Sequence, residues 1–115
     1  NIQVDIDRTQ MVRIITNLVK NAIEACSLTE KPIVEVEIYA KKKNVFIKIR
    51  DNGIGISKDL KNRIFEPKFT TKTSGMGLGL GMVKNLVNSY NGSIDFESNV
   101  GKGTTFTIKF PTNLN

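Results

Sequence analysis

The 115-residue sequence predicts an α/β protein of the two-layer α+β kind, with a mixed, mostly antiparallel sheet of about five strands packed on three helices. Two observations support this prediction. Apolar residues recur with helical spacing in some stretches and alternate with polar residues in others. The resulting order, strand-helix-strand-strand-helix-helix-strand-strand, pairs neighbouring strands and leaves the helices for one face of the sheet.

A short strand and a long helix come first. Residues Ile2 to Ile6 alternate apolar and polar side chains, and Asp7 is expected to cap the helix, with Gln10 at capping-box spacing. From residue 8 to about residue 28, apolar residues recur at helical spacing and include Cys26. This pattern predicts an amphipathic helix whose apolar side, with the cysteine, is buried.

The polar side of this helix carries the first candidate functional residues. At about 100° per residue, a stripe forms from Arg13, Asn17, Lys20, Asn21 and Glu24. A polar stripe is usually the solvated side of a helix. Asparagine is a poor helix former, however, and Asn17 and Asn21 lie one turn apart at the edge of the apolar face. Their placement suggests a purpose beyond solubility.

A hairpin and an acidic turn occupy the middle of the chain. Two β-branched, alternating runs, 33–39 and 44–50, flank a lysine-rich turn and predict two paired strands. The second run ends in Asp51, and Ser57 is expected to cap a short helix that ends at about Ile64. The glycine-containing segment between them is either simply a turn or a site at which the acid accepts hydrogen bonds from a base or an amide.

A loop, a second long helix and two strands complete the chain. Residues 65–74 contain Pro67 and a Thr/Lys run, which favours a loop, and a loop of this length beside a glycine-rich helix start is often a lid. The helix is predicted to end at Tyr90, where an Asn-Gly pair stops it. Two further strands are predicted at 93–98 and 104–110.

Four glycines alternate with bulky residues where that helix begins: Gly75, Gly77, Gly79 and Gly81. A glycine-rich loop leading into a helix presents free N–H groups at the positive end of the helix dipole, which suits a phosphate. A flexible hinge or a tight helix contact would explain the glycines equally well. No Walker loop is present, and the dinucleotide fingerprint fails because it needs glycine where Leu80 and Met82 stand.

The composition narrows the possible functions. One cysteine and no histidine argue against a zinc site and fit a reducing compartment, so we expect a cytoplasmic location. The net charge of +6 suits an anionic ligand, and no recognition helix or aromatic platform accompanies it, which argues against nucleic acid.

The length and the start of the sequence lead to an expectation about its origin. At 115 residues, the chain is expected to form one domain over residues 1–115. No apolar run approaches the roughly 20 residues that span a bilayer. The sequence opens without Met, which suggests a domain excised from a larger protein, whose membrane anchor, if it has one, would lie outside this sequence.

The order of these motifs resembles that of the catalytic ATP-binding domain of two-component sensor histidine kinases, in the GHKL superfamily shared with gyrase, mismatch-repair and chaperone ATPases. Residues 17–22 (NLVKNA) are similar to the family's N box. The first glycine box, the F box, and the second and third glycine boxes are matched by 51–55 (DNGIG), 65–69 (FEPKF), 75–80 (GMGLGL) and 101–104 (GKGT). The resemblance covers essentially the whole chain and implies a Bergerat-type sandwich, with ATP between the long first helix and the glycine helix.

The resemblance also implies roles for individual residues. Asn21 would coordinate the Mg²⁺ that bridges the phosphates, because Mg²⁺ takes oxygen ligands, and Asp51 would bind the adenine amine. Arg63 and Lys72 would neutralise charge on the transferred phosphoryl group, and Lys20 would reach a phosphate. The other residues implied at the nucleotide site belong to the glycine boxes: Gly53, Gly55, Gly75, Gly77, Leu78, Gly79, Leu80 and Thr104.

Position 17 bears on the type of reaction. The ATP-hydrolysing relatives place a glutamate there as general base, whereas Asn17 has no group that titrates near neutral pH. A histidine acceptor is itself a nucleophile, so its kinase needs positioning and charge stabilisation more than a base. The resemblance therefore implies a histidine kinase, whose acceptor lies outside this chain on a helical dimerisation domain, with a response regulator downstream.

Two positions depart from the family pattern. Many members carry a basic residue and then an aromatic residue where this sequence has Glu24 and Ala25. A phosphate contact would therefore pass to Lys20, and the base would lose an aromatic stacking partner.

Two alternative functions stay open. One is a nucleotide-dependent binding module, in which ATP orders the 68–75 lid to create a partner surface. The other is a self-contained ATPase or serine kinase of the same superfamily. Intact Asn21, Asp51 and glycines argue against the first alternative, and Asn17 argues against the second.

Overall fold

The computed structural model describes residues 6–66 and 78–112, which form one antiparallel sheet with two α-helices. The elements are α1 (Arg8–Ala25), β1 (Val34–Lys41), β2 (Asn44–Asp51), α2 (Leu78–Ser89), β3 (Ser93–Asn99) and β4 (Gly103–Pro111). The strand order across the sheet is β1-β2-β4-β3, and each neighbouring pair is antiparallel. The predicted α+β class is confirmed.

Alternation along the strands places one face of the sheet under the helices. Every second residue of β2 is buried, and β4 buries Phe106, Ile108 and Phe110 in the same way. These side chains form one core with Ile14, Leu18 and Ala22 of α1 and with Val83 and Val87 of α2. A single hydrophobic core between sheet and helices therefore holds both helices in place.

One predicted element is wrong, and another lies mostly outside the described residues. Four strands are seen in the described residues instead of about five, and the predicted strand Ile2–Ile6 falls mostly on residues 1–5, outside those ranges. The predicted helix from Ser57 to Ile64 is wrong, since this segment is a series of turns. Its backbone bonds span three residues, with Leu60 donating to Ser57 at 3.0 Å and Arg63 donating to Leu60 at 2.9 Å. So short a segment does not offset the cost of nucleating an α-helix.

The start of α1 shows where the capping prediction was right and where it was wrong. Asp7 occupies the N-cap position in an extended conformation, and its carbonyl accepts from the Met11 N–H at 3.0 Å. Its side chain makes no capping hydrogen bond. The Gln10 Oε1 atom is buried without a hydrogen-bond partner. The helix start is therefore set by the backbone and by burial of the apolar side.

The end of α1 lies at Ala25, three residues before the predicted end, because another segment takes over its last carbonyl. The Ile54 N–H donates to the Ala25 carbonyl at 3.0 Å. Gly53 packs so closely on Ala25 that a Cβ on Gly53 would overlap its carbonyl. Cys26 follows the helix and is buried, as predicted. The first glycine turn therefore covers the C-terminus of α1.

The predicted stop of α2 is confirmed in detail. Asn91 has a φ of 64°, and its N–H donates to Asn88 at 3.1 Å. The Gly92 N–H donates to Val87 at 2.9 Å. This pair of bonds is a Schellman motif, in which asparagine takes the left-handed position that ends the helix.

Candidate functional site

A cavity of about 650 Å³ opens between α1, α2 and the end of the sheet where β2 stops. Its lining comes from α1, the loop after β2, the turns after that loop, α2 and β4. The lining residues are Asn21, Ala22, Glu24, Ala25, Ser27, Asp51, Ile54, Gly55, Ile56, Ser57, Leu60, Ile64, Leu80, Val100, Thr104 and Phe106. A mostly apolar wall with a few polar groups is typical of a small-molecule site.

Three buried polar side chains form a row across the end of the sheet. Asp51 on β2 lies directly opposite Thr104 on β4, and Thr104 lies directly opposite Ser98 on β3. Their exposed fractions are 7%, 5% and 4%, and no other polar or charged residue in 6–66 and 78–112 is as deeply buried. Because buried polar groups need hydrogen-bond partners, this row is a candidate for a role beyond packing.

Asp51 directs a carboxylate into the cavity wall. The Gly53 N–H donates to its Oδ1 at 2.9 Å, and the Thr104 backbone N–H donates to the carboxylate as well. Burial raises the pKa of Asp51 above its ordinary value of 3.8, and the two backbone hydrogen bonds oppose this rise. The carboxyl group is thus held in a fixed orientation, with acceptor capacity left for a ligand.

The first and third glycine segments are joined beside this carboxylate. Gly55 has a φ of 77°, and a Cβ on it would overlap the carbonyl of Asn99. The Gly101 N–H donates to the Ile54 carbonyl at 2.8 Å. Glycine at position 55 is therefore required by both conformation and close approach, and it brings two distant segments together at the cavity.

The two asparagines of α1 have different surroundings. Asn21 lines the cavity. Asn17 is not among the lining residues: its Nδ2 donates to the Arg13 carbonyl at 2.8 Å, and its Oδ1 faces Gly79 of α2. Lys20 is exposed. Of the predicted polar stripe, the structure therefore brings Asn21 and Glu24 to the cavity wall.

Helix α2 and the turns after β2 contribute unequally to the cavity wall. Leu80 is buried and lines the cavity, while Gly79 and Gly81 lie where α2 approaches Asn17 and the Phe65 carbonyl. Leu78 begins the helix. Arg63 is exposed and lies 3.7 Å from Glu66 in an ion pair. The other predicted site residues fall outside the described ranges: Lys72, Gly75 and Gly77.

The sequence analysis missed two groups that hold the site together. Ser98 contacts Thr104 and the loop after β2, and Asn52 fixes the connection between α1 and β1. The signal for Ser98 was available, since alternation along β3 puts it on the same face as Ile94 and Phe96. Asn52 gave no comparable signal, because its partners are backbone atoms about 20 positions away.

Among the described residues, no group of three or more His, Cys, Asp or Glu side chains is suited to hold a metal ion. Neither helix in the same ranges has the length and the apolar character of a membrane span.

Residues 6–114 match the family model described as histidine kinase-, DNA gyrase B-, and HSP90-like ATPase. The sensor histidine kinase ZraS of Escherichia coli K12 is 40% identical over 113 residues, covering 98% of this chain and 23% of ZraS. Sporulation kinase A of Bacillus subtilis 168 is 37% identical, covering 96% of this chain and 18% of that protein. The chain thus spans about a quarter or less of these two relatives.

A solved structure agrees with these matches. The nucleotide-free catalytic domain of histidine kinase ThkA superposes with a TM-score of 0.81 at 34% identity, covering 94% of this chain and 70% of that one. The fold and the order of the motifs agree with these matches. The chain therefore belongs to the family of histidine kinase-, DNA gyrase B- and HSP90-like ATPases.

Proposed function

We propose that this chain binds Mg-ATP in the cavity and donates the γ-phosphoryl group to a histidine on a separate dimerisation domain of the same protein. The observation that carries the proposal is the pairing of Asp51 and Thr104, two buried polar residues, in a largely apolar cavity. The apolar part of the wall accommodates a flat heterocycle, and the paired Asp51 and Thr104 offer hydrogen bonds to one edge of it, which suits adenine.

Asp51 is proposed to accept a hydrogen bond from the adenine amine. The carboxylate is oriented by the Gly53 and Thr104 N–H groups, and the amine is a donor. Gly53 and Gly55 let the loop backbone lie close to the base, and Ile54, Ile56 and Leu60 offer apolar contacts in place of a stacking aromatic ring.

Asn21 is proposed to ligate Mg²⁺ on the α1 side of the cavity. Its amide oxygen is a hard, neutral ligand, and the metal would take its remaining oxygens from the phosphates and water. The ion would neutralise charge on the phosphates during transfer.

The phosphates are proposed to lie toward the start of α2, whose backbone dipole attracts negative charge. Gly75, Gly77, Leu78, Gly79 and Leu80 belong to this glycine segment. Arg63, Lys72 and Lys20 are proposed to supply positive charge near the phosphates. Both Arg63 and Lys20 are exposed at the protein surface.

In the transfer step, the bond between the γ-phosphorus and the β–γ bridging oxygen breaks, and a bond from that phosphorus to an imidazole nitrogen forms. ADP keeps the electron pair of the broken bond. Because imidazole is a nucleophile without prior activation, the absence of a titratable group at Asn17 is compatible with this reaction and unfavourable for hydrolysis. A response regulator downstream and a cytoplasmic location complete the proposal.

The proposal is tested by supplying the acceptor. The chain is incubated with Mg²⁺, ATP labelled at the γ-phosphate, and the separately purified dimerisation domain of its parent protein. We expect acid-labile label on that domain and its loss in the Asn21→Ala variant. Label that appears only as free phosphate would overturn the kinase assignment, and failure of the chain to bind ATP would overturn the whole proposal.

A further inference from the structure

Ser98 connects three segments of the proposed base-binding end without lining the cavity itself. Its Oγ accepts from the Ile56 N–H at 2.7 Å and donates to the Gly103 carbonyl at 3.0 Å. The Thr104 Oγ1 lies 2.7 Å from the same oxygen. Ser98 is only 4% exposed, so these protein contacts define the environment of its hydroxyl.

The proton positions follow from counting donors. A serine hydroxyl has one proton and two lone pairs. One arrangement makes all three contacts at once: the Gly103 carbonyl takes the Ser98 proton, and the Ile56 N–H occupies one lone pair of the Ser98 oxygen. The remaining lone pair accepts the proton of Thr104. In this arrangement, Ser98 is fully satisfied and Thr104 has no proton left for the cavity.

We propose that Ser98 is a positioning residue that makes Thr104 a hydrogen-bond acceptor toward the cavity, so that the site selects 6-amino purines over 6-keto purines. This inference rests on the proposed binding of ATP and adds the residue that sets base preference. With the Thr104 proton held by Ser98, both cavity-lining members of the row, Asp51 and Thr104, present acceptors.

Two acceptors side by side discriminate strongly between the bases. A 6-amino group offers two N–H donors, whereas a 6-keto oxygen would face two acceptors and leave buried polar groups unpaired. If Ser98 lost its hydroxyl, Thr104 would keep its proton and could turn it toward a keto oxygen. The preference for the amino base would then weaken even though no residue touching the base had changed.

The experiment measures the affinities of the intact chain for ATP and for ITP by calorimetry in Mg²⁺. The two nucleotides carry the same triphosphate and ribose and differ in the base. We expect the parent chain to prefer ATP and the Ser98→Ala variant to lower the ATP-to-ITP affinity ratio by about tenfold. If Ser98 had only a structural role, the Ser98→Ala variant would bind both nucleotides more weakly by the same factor, and the affinity ratio would not change.

Matched variants separate the hydroxyl from its surroundings. Ser98→Thr keeps a hydroxyl in place and should keep the parent ratio. Ser93→Ala removes a hydroxyl from the same strand, on the other face of the sheet, and should change neither affinity. Thermal melting shows whether each variant is folded. If Ser98→Ala does not fold, Ser98→Cys replaces it, because a thiol is a poor acceptor for the Thr104 proton and should lower the ratio similarly.

The possible failures are distinguishable. If the parent chain binds neither nucleotide, the proposed function itself is wrong. If the parent prefers ATP but Ser98→Ala, or the cysteine variant in its place, keeps the full ratio, only the role of Ser98 is wrong. A parent that binds ATP and ITP equally well contradicts the paired acceptors directly.

Discussion

Gly79 of α2 lies directly against Asn17 of α1, so that a Cβ on Gly79 would come 2.8 Å from the Asn17 Oδ1. The amide cannot turn away freely, because its Nδ2 donates to the Arg13 carbonyl at 2.8 Å. The absence of a side chain at position 79 is therefore a condition for the close approach of the two helices that border the cavity.

Gly79→Ala should destabilise the parent chain by about 1–2 kcal/mol, because the added methyl group overpacks the helix contact. In an Asn17→Ala background, the same substitution should stabilise the chain by up to about 1 kcal/mol, because alanine is the better helix former. Urea unfolding of the parent, both single variants and the double variant measures this coupling. Additive effects would show that the two residues do not restrict each other.

Asp51→Asn should weaken ATP binding and yet stabilise the nucleotide-free chain at neutral pH. Burial raises the pKa of Asp51 above 3.8, so the folded state releases this proton at a higher pH than the unfolded state. The free energy of unfolding therefore falls as pH rises from about 3.8 through the raised pKa, and the loss persists above it. Asparagine does not titrate, so the Asp51→Asn variant does not lose stability in this way.

Thermal melting of the parent and of Asp51→Asn from pH 3 to pH 8 shows in which direction their difference in stability changes with pH. The stability of Asp51→Asn relative to the parent should rise between about pH 3.8 and the raised pKa of Asp51. Above that pKa, the difference in stability should stay constant. The exposed Asp95 provides the control, since Asp95→Asn should leave ATP affinity unchanged. A relative stability that falls with rising pH would contradict the assigned cause of the shift.

Asn52→Ala should destabilise the chain by about 1 kcal/mol, because the hydrogen bonds that join the segment after α1 to the turn after β2 would be lost. The Asn52 Oδ1 accepts from the Ile33 N–H at 2.7 Å and from the Cys26 thiol at 3.5 Å. Its Nδ2 donates to the Lys31 carbonyl at 2.9 Å. These bonds hold the segment after α1 against the turn that follows Asp51.

Chemical denaturation of three variants separates these bonds. Asn52→Asp keeps an acceptor but loses the donor to Lys31, so its loss of stability should lie between those of the parent and Asn52→Ala. Asn62→Ala, at an exposed position, should have little effect. Equal stability of Asn52→Ala and Asn62→Ala would show that the hydrogen bonds of Asn52 do not stabilise the chain.

The hairpin tip offers a stabilising change away from the cavity. Lys42 and Lys43 have φ angles of 53° and 67°, which a two-residue hairpin turn requires and which lysine adopts at a cost. Replacing this pair with Asn-Gly should stabilise the chain by about 1 kcal/mol or more. Thermal melting measures the gain, and ATP affinity should not change. An unchanged or lower melting temperature would contradict the expectation.

Periodicity and turn signals predicted most of the fold, because the core residues and the turns follow local rules. The hairpin and the stop signal at Asn91 that follows α2 both arise from neighbours in sequence. The end of α1 at Ala25 was missed because Ile54, far along the chain, takes its carbonyl. The side-chain cap at Asp7 was likewise predicted from spacing, and the structure does not form it.

The two asparagines of α1 also show that local sequence rules do not predict contacts between distant segments. Their spacing on α1 is equivalent, and nothing in the helix distinguishes them. Only the approach of Gly79 shows that Asn17 faces α2, while Asn21 lines the cavity. Likewise, the partnership of Ser98 with Thr104 depends on the register between β3 and β4.

The most direct test is phosphate release by this chain under saturating Mg-ATP, with binding confirmed by calorimetry in the same samples. Our account predicts clear binding with negligible release, because Asn17 supplies no general base and the acceptor histidine lies on another domain. Brisk release of phosphate, abolished by Asn21→Ala, would mean that a competent base exists in the cavity. The chain would then be a hydrolase, and the histidine-kinase proposal would be wrong.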